Sequence, residues 1–402
     1  MEFVHAIKAN RKELGYAWRI LSDGVCDGCA LGTTGMTDWT LDGVHLCNIR
    51  LRLLELNTMG ALDEKVLEDC GALRSKRSDA LRALGRIPYP MLRRKGEGGF
   101  SRVTWDEALD AIADRIRDID PKRIAAYMTS RGMPNESYYC VQKAMRAIGT
   151  NNIDNAARVC HSPSTVALKA SIGAGATTCS YSDWLNADVI VFFGSNVANN
   201  QPVATKYIHY AKKNGAKILV VNPYREPGME RYWIPSIPES ALFGTKIADE
   251  FYLLNQGSDV VFINGVIKSM IEKDSVDGDF VDEHSVGFEE LQSYLGEVSW
   301  DSIESATGVG REEMEDCAAL VGKADKAVFV WSMGITQHEC GVDNVRAIVN
   351  LALTRGFVGR KGCGLMPIRG HSGVQGGAEM GAYSTAFPSG VAVNAENAVA
   401  LG

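Results

Sequence analysis

The 402-residue sequence contains no apolar run near the roughly 20 residues that a membrane-spanning helix requires. Its N-terminal segment, MEFVHAIKANRKELGYAW, lacks the apolar stretch of a secretory signal peptide and lacks a twin-arginine pair. Together these absences predict a cytoplasmic protein that has no membrane span.

An excess of positive charge is also absent, because 42 Lys and Arg residues stand against 49 Asp and Glu residues and the formal net charge is -7. The run Arg93-Arg94-Lys95 is the longest stretch of adjacent basic residues, and we interpret it as a solvated turn. Since a strong positive field is what attracts nucleic-acid phosphates, the composition argues against nucleic acid as the main partner.

A disulfide framework is not indicated either. The 10 cysteines have irregular spacing, and no export signal precedes them, so we expect reduced thiols of which some bind metals. Six of them are expected to be small hydrophobic residues of the interior: Cys70, Cys140, Cys179, Cys317, Cys340 and Cys363.

The overall composition is that of an ordinary soluble globular protein, with 46% hydrophobic and 23% charged residues. The chain is longer than the size at which one hydrophobic core stops growing. We therefore expect two or three packed subdomains.

Alternating strand-like and helical segments predict an α/β fold. Thr104 and Glu107 are spaced as a capping box that opens an amphipathic helix over residues 105–118. Apolar runs at 187–196 and 216–223 flank a helical segment at 203–213, which indicates a βαβ unit of a parallel sheet. Further strands are predicted at 124–130 and 327–334, and further helices at 50–56, 136–147, 260–271, 311–321 and 342–354.

Small and polar residues follow three of these strands, in Gly194-Ser195-Asn196, Asn222-Pro223 and Met333-Gly334. Ligands of parallel sheets bind beyond the carboxyl ends of the strands, so these segments are candidates for a nucleotide site. None of them matches G-x-G-x-x-G, which excludes an ordinary NAD-binding motif.

The segment AARVCHSPST, residues 156–165, carries the strongest candidate for chemistry. Cys160 stands just before a predicted helix at 166–172, whose N-terminal amides would lower the pKa of its thiol. A thiolate at this position could be a nucleophile or a metal ligand. The adjacent His161 could move a proton to or from the reacting group.

The string ARVCHSPS resembles the active-site segment of molybdenum- and tungsten-dependent formate dehydrogenases, which belong to the molybdopterin-dependent oxidoreductases. The resemblance implies a DMSO-reductase-like α/β fold in which Cys160 ligates the metal and His161 handles the proton. It points to a divergent branch of oxidoreductases without an assigned substrate, some of them linked to acid resistance. For this chain, formate is therefore expected only as the default substrate of the family.

A second segment, GLMPIRGHSGVQGGAEMG at residues 364–381, resembles the arginine loop of the same family. The resemblance implies that Arg369 is the active-site arginine, and a guanidinium can hold formate by paired charge-assisted hydrogen bonds. His371 occupies the place of the family's active-site glutamine, which suggests a difference in substrate choice or pH dependence.

The cofactor that the resemblance implies is molybdenum or tungsten bound by bis(molybdopterin guanine dinucleotide). Asp259 is a suitable guanine ligand, because a carboxylate can accept hydrogen bonds from both N1 and N2 of the base. The residues implied to bind the cofactor are Gly194, Asn196, Asn222, Gly257, Asp259, Gly334, Gln337 and His371.

The N-terminal cysteines depart from the family pattern for a [4Fe–4S] cluster, which needs four thiolates. Cys26, Cys29 and Cys47 are implied ligands, but Thr33 stands where the third family cysteine would be. Ile49 stands at the position where the family has an electron-relaying lysine, and Arg50 is next to it. Thr33, His45 and Cys70 remain open as the fourth ligand, absence of the cluster is a further alternative, and zinc is the alternative metal.

The resemblance implies an iron–sulfur-type lobe at 1–98, an incomplete α/β subdomain formed by 99–155 and 372–402, and a dinucleotide-binding subdomain at 156–371. A family C-terminal domain that closes over the dinucleotides is expected to be absent from this chain. The predicted activity is two-electron oxidation of formate or a related small substrate, with a separate electron-accepting protein or subunit. Two alternatives remain, a cofactor-binding or partner subunit without turnover and a zinc-binding α/β protein with Cys160 as nucleophile.

Overall fold

A computed structural model describes residues 2–37 and 41–401 of the chain. The α-helices are α1 Glu2–Ala9, α2 Leu14–Ser22, α3 Asn48–Thr58, α4 Ser78–Arg82, α5 Trp105–Arg117, α6 Asn135–Ile148, α7 Ala157–Ile172, α8 Val197–Asn200, α9 Ala204–Lys213, α10 Pro227–Glu230, α11 Pro238–Phe243, α12 Asp259–Glu272, α13 Gly278–His284, α14 Phe288–Glu297, α15 Trp300–Thr307, α16 Arg311–Lys323, α17 Met333–Thr336, α18 Gly341–Leu353, α19 Val374–Glu379 and α20 Ala395–Leu401.

The β-strands are β1 Met91–Leu92, β2 Ser101–Arg102, β3 Ala126–Met128, β4 Ile153–Asn155, β5 Val189–Phe193, β6 Lys217–Asn222, β7 Arg231–Tyr232, β8 Thr245–Lys246, β9 Glu250–Leu253, β10 Ala327–Trp331 and β11 Gly364–Pro367. Short 3₁₀ helices occupy Glu64–Leu67, Pro121–Arg123, Tyr181–Asn186 and Pro388–Gly390.

A five-stranded parallel sheet with the order β11-β10-β5-β6-β9 forms the centre of the fold. Its register places Val328, Ile190 and Ile218 side by side on three adjacent strands. The strands β5 and β10 are buried along their whole length, as expected for parallel strands that helices cover on both faces. This sheet confirms the predicted α/β class and the predicted βαβ unit.

Each face of the sheet supports its own hydrophobic layer, because successive residues of a strand point to opposite sides. Val191 and Phe193 pack into a core that includes residues of α7, α12, α16 and α18. Ile190 and Phe192 face the other way and pack with Tyr207 of α9. The sheet therefore lies between two helical layers, and loops rather than helices lie at the ends of its strands.

The predicted helix over 105–118 is confirmed as α5, and its capping box is present. The amide of Glu107 donates to Thr104 Oγ1 at 3.2 Å, and the amide of Thr104 donates to Glu107 Oε2 at 2.7 Å. The predicted strands and the other predicted helices are also found, with one exception at 166–172 that is described with the site.

Contacts between distant segments join residues 99–155 to residues 372–402. Asn155 Nδ2 donates to the Ala382 carbonyl at 2.9 Å, and Arg146 Nη2 donates to the Tyr383 carbonyl at 2.9 Å. These contacts favour the predicted grouping of the two segments. The boundary near residue 98 falls between the paired strands β1 and β2, and the domain limits remain predictions.

Within residues 2–37 and 41–401, no helix combines the length and the apolar character that crossing a membrane requires.

Candidate metal and dinucleotide site

The helix that carries Cys160 begins earlier than predicted and is kinked. We predicted a helix at 166–172 with Cys160 in front of it, but α7 begins at Ala157 and includes Cys160. The backbone of His161 is non-helical, with φ -130° and ψ 16°, and Pro163 lies two residues further on. Because proline cannot donate the hydrogen bond that the turn needs and its ring crowds the preceding turn, α7 breaks where Cys160 and His161 lie.

Two side chains at the end of α17 donate hydrogen bonds to carbonyl oxygens of α7 near this kink. Pro163 has no N–H for the carbonyl of Val159, and Gln337 Nε2 donates to that carbonyl at 3.2 Å. Thr336 Oγ1 donates to the carbonyl of Cys160 at 2.5 Å. The family resemblance implies that Gln337 binds the dinucleotide. In this structure its side-chain amide donates to α7, and a role in dinucleotide binding remains a prediction.

Cys160 is buried, with 8% of its surface exposed. Our expectation that helix amides lower the pKa of its thiol is wrong, because burial raises this pKa and the charge of Arg369 offsets the rise only partly. A buried thiol beside a cation suits a metal ligand better than a free nucleophile, since a metal ion stabilises the thiolate directly.

His161 is buried beside Cys160 and is neutral near pH 7. Its pKa is lowered to about 4, mainly by burial and also by the charge of Arg369, while the backbone of Ile368 partly offsets both effects. Nδ1 lies 3.1 Å from Ser164 Oγ. Among the residues that the structure describes, none meets hydrogen-bond geometry at the buried Nε2 atom.

Arg369 follows β11, so it lies at the carboxyl end of the sheet. Nη1 donates to Gln375 Oε1, whereas the buried Nε has no partner in the described part of the chain. Arg369 and His161 line the same cavity of about 520 Å³, and Cys160, next to His161 in the chain, is not among its lining residues. The polar residues that line this cavity include Arg158, His161, Lys169, Arg369, Gln375 and Tyr383.

A second cavity of about 370 Å³ lies beyond the carboxyl ends of β5, β6, β9 and β10. Two glycine loops meet there, and the amide of Gly334 donates to the carbonyl of Gly194 at 3.0 Å. A Cβ atom on Gly194 would lie 2.6 Å from the backbone of Gly334, and Gly194 has φ +52°. Only glycine allows this approach. Of the residues implied to bind the dinucleotide, the cavity brings together Gly194, Asn196, Asn222, Gly257, Asp259 and Gly334.

Asp259 is buried at the first turn of α12, where helix amides and positive charge favour a carboxylate. Burial nevertheless raises its pKa, and the nearby His338 lowers it only partly. Asn196 Nδ2 donates to Glu226 Oε2 at 2.8 Å. Asn222 Nδ2 donates to the Ser195 carbonyl at 3.4 Å.

Sequence reasoning missed several residues of this cavity. Tyr224 and Glu226 line it directly after β6, and His338 lines it after α17. The signal was present, because all three follow predicted strands within the same strand-end segments that supplied Asn222 and Gly334.

His371 is not brought to either cavity. Its side chain is half-buried, and burial together with the charge of Arg131 lowers its pKa. The neighbouring carbonyl of Gly370 accepts from the amide of Ala30 at 3.1 Å, so this loop contacts the cysteine loop. The interpretation of His371 as a cofactor or active-site group is not supported by this position.

The N-terminal cysteines Cys26, Cys29 and Cys47 line one small cavity of about 20 Å³, together with His45. This space holds about one or two water-sized groups. Burial raises the pKa of Cys29 to about 12 and that of Cys47 to about 11. Cys47 Sγ also accepts from the amide of Arg50 at 3.3 Å, as the cap of α3.

Of the three alternatives for a fourth ligand, His45 lines this cavity, whereas Thr33 is bonded to other groups and Cys70 lies elsewhere. Thr33 Oγ1 donates to the Gly35 carbonyl at 2.9 Å and accepts from Arg50 Nη1 at 3.0 Å. Cys70 lies outside this cavity, with its thiol 3.9 Å from the Leu67 carbonyl. Within the described ranges, no three or more Cys, His, Asp or Glu side chains are arranged to hold a metal ion. This geometry does not fit a four-thiolate cluster, so the [4Fe–4S] cluster remains a prediction.

The centre around Cys160 fits its implied cofactor better. A single buried thiol, a buried imidazole nitrogen and a guanidinium with an unused donor lie next to a cavity, and a glycine-lined cavity for a nucleotide lies beyond the same strand ends. Thr336, which follows Gly334 by two residues, bonds the segment after β10 to α7 through the carbonyl of Cys160.

A parallel sheet with a ligand-sized cavity beyond its carboxyl ends defines an open α/β protein that binds its ligand at the strand ends. Within this class, the model of the molybdopterin oxidoreductase family matches residues 86–401, and the chain belongs to that family.

Two curated relatives and one solved structure show the extent of the similarity. An uncharacterized oxidoreductase of Mycobacterium tuberculosis is 35% identical over 306 residues, which are 74% of this chain and 39% of that protein. Formate dehydrogenase H of Escherichia coli is 35% identical over 308 residues, which are 75% of this chain and 41% of that protein. The chain thus spans about two fifths of the length of these relatives.

Acetylene hydratase from Pelobacter acetylenicus has a similar fold, with a TM-score of 0.54 and 23% sequence identity. The match covers 69% of this chain and 36% of that chain.

Proposed function

We propose that this chain binds molybdenum or tungsten through Cys160 and oxidises formate or a related small anion. The observation that carries the proposal is the convergence of Cys160, His161 and Arg369. The charge of Arg369 acts on both other side chains, and Arg369 shares a cavity with His161. The similarity to a formate dehydrogenase supports formate as the first substrate to test.

The strand-end cavity would hold the guanine dinucleotide of the cofactor. Asp259 would accept hydrogen bonds from N1 and N2 of the base, and these donors would return its carboxyl group to the ionised form. Gly194 and Gly334 would let backbone amides approach the diphosphate. When bound, the metal cofactor supplies two-electron redox chemistry.

The residues of the chain bind the substrate and manage its proton. Arg369 would bind the carboxylate, with the unused Nε as one of its donors. Formate would lose two electrons and one proton to give carbon dioxide, and the electrons would leave to a separate acceptor. His161 is the neutral group beside the metal ligand that can hold or move a proton. No electron transfer through the N-terminal cysteines is included, because their geometry does not fit a cluster.

The test is metal analysis of protein produced in cells that mature molybdenum enzymes. We expect molybdenum or tungsten in the wild type, with formate oxidation measured by dye reduction. Cys160→Ala should lose turnover while it keeps its fold, and Cys140→Ala should keep its activity. Cys140 is exposed on α6, so our expectation that it lies in the interior is wrong. A matured wild-type sample that contains neither metal contradicts the proposal.

A further inference from the structure

A buried serine joins His161 to a tryptophan from the central sheet. Ser164 is 0% exposed and lies three residues after His161 on α7. Its Oγ atom is 3.1 Å from His161 Nδ1 and 2.9 Å from Nε1 of Trp331, the last residue of β10. These contacts connect the side chain beside the proposed metal ligand to the rigid end of a strand.

The donor and acceptor roles in this chain of contacts follow from the groups themselves. An indole N–H can only donate, so Ser164 Oγ accepts from Trp331. The hydroxyl hydrogen of Ser164 then needs an acceptor, and within the described chain His161 Nδ1 is the remaining partner of Oγ. A buried hydroxyl hydrogen without an acceptor is costly, which favours donation to Nδ1.

We propose that Ser164 and Trp331 are positioning residues: Trp331 donates to Ser164, and Ser164 donates to His161 Nδ1, which places the imidazole hydrogen on Nε2. Nδ1 accepts from Ser164 in this arrangement, and Nε2 carries an N–H group at the cavity that His161 shares with Arg369. His161 therefore enters the reaction as a hydrogen-bond donor to an anionic oxygen beside Arg369, and not as a base at Nε2.

The catalytic consequence rests on the proposed function, whereas the tautomer does not. An N–H group beside a guanidinium selects a substrate that offers an acceptor oxygen, such as a carboxylate. Nδ1 is bonded to Ser164, which does not line the cavity shared with Arg369, so His161 in this tautomer binds and orients the anionic oxygen through its Nε2–H group.

The direct test is nitrogen NMR of the full chain with ¹⁵N-labelled histidine, because the two nitrogens of a neutral imidazole differ strongly in shift when only one is protonated. The sequence has 7 histidines, and the signals of His161 are those lost in His161→Gln. We expect a protonated Nε2 and an unprotonated Nδ1 near neutral pH. A protonated Nδ1, or protonation of both nitrogens, would overturn the proposal.

Two variants test the cause. Ser164→Ala removes the donor to Nδ1. Trp331→Phe keeps an aromatic ring in the core but removes the donor to Ser164, and circular dichroism verifies that both variants fold. Each should shift the nitrogen signals of His161 toward a mixture of tautomers, and the loaded Ser164→Ala enzyme should lose roughly tenfold in kcat/KM for formate. The matched control is Ser269→Ala, at a serine of α12 that is also 0% exposed.

Unchanged His161 signals in both Ser164→Ala and Trp331→Phe would refute the positioning role. Because the NMR experiment needs neither metal nor turnover, a failure of the proposed function leaves its result intact. Conversely, an active metal enzyme with a protonated Nδ1 would retain the function and reject this inference.

Discussion

The two places where the sequence predicts metal ligands differ in how their polar atoms are bonded. Around Arg50, the guanidinium donates to Thr33 and to the carbonyls of Ile20, Leu21, Gly24 and Gly35, and the adjacent cavity is about 20 Å³. Around Cys160, the buried Nε2 of His161 and the buried Nε of Arg369 have no partner within the described residues, and the cavity lined by these two side chains is about 520 Å³.

This difference separates a structural region from a reactive one. Buried polar groups without partners cost free energy, so they persist where a ligand or substrate will bind them. A saturated set of hydrogen bonds instead stabilises the fold. We therefore expect mutations near Arg50 to change stability and mutations near Cys160 to change chemistry.

The largest effect is expected for Arg369→Ala, because it removes the cation that would bind the substrate. We expect kcat/KM for formate to fall roughly 10² to 10³-fold, as for the loss of a buried charged donor. Arg346→Ala, at an exposed arginine of α18, is the control and should stay near wild type. Unchanged kcat/KM in Arg369→Ala would remove Arg369 from the site.

Arg50→Ala should instead lower the free energy of unfolding by about 3 kcal/mol or more, because several carbonyls lose a buried charged donor. Urea titration followed by circular dichroism measures this change. Arg77→Ala is the control, since the Arg77 side chain is 88% exposed. A stable Arg50→Ala protein would contradict the structural role of the N-terminal region.

Gly194→Ala should reduce cofactor content and cost about 1 to 2 kcal/mol more than Gly215→Ala. Both glycines have positive φ, but a Cβ atom would clash with Gly334 only at Gly194, while at Gly215 no described atom lies within 4 Å. The pair thus isolates the close approach of the two strand-end loops. Equal pterin content in the two variants, measured by fluorescence after release, would argue against a cofactor at this cavity.

His371→Gln, which restores the glutamine implied by the family resemblance, should have the smallest effect. His371 lies beside Arg131 rather than in either cavity, so kcat/KM for formate should change less than about twofold and its pH profile should keep its shape. A shifted pH optimum would place His371 in the active site after all.

The sequence predicted the elements of the fold where its signals were local. Thr104 and Glu107 mark the start of α5, and the apolar runs that became β5, β6 and β10 are continuous and bounded by small residues. Gly194, Asn222 and Gly334 could be placed at one site because the carboxyl ends of parallel strands lie at the same edge.

What the sequence could not predict depends on contacts between distant residues. Ser164 and Trp331 are 167 positions apart, and Gln337 reaches α7 only because Pro163 frees a carbonyl there. The sequence around Arg50 does not indicate that its guanidinium donates to backbone carbonyls between Ile20 and Gly35. The kink at His161 was missed because Pro163 suggests that a helix begins after it, whereas α7 already begins at Ala157 and continues past the proline.

The most direct test of the account is the X-ray absorption spectrum of the bound molybdenum or tungsten, in wild type and in Cys160→Ser. We predict one sulfur ligand more in the wild type than in the variant, with Cys26→Ser indistinguishable from the wild type. The same sulfur count in the wild type and Cys160→Ser would contradict the claim that Cys160 is the metal ligand.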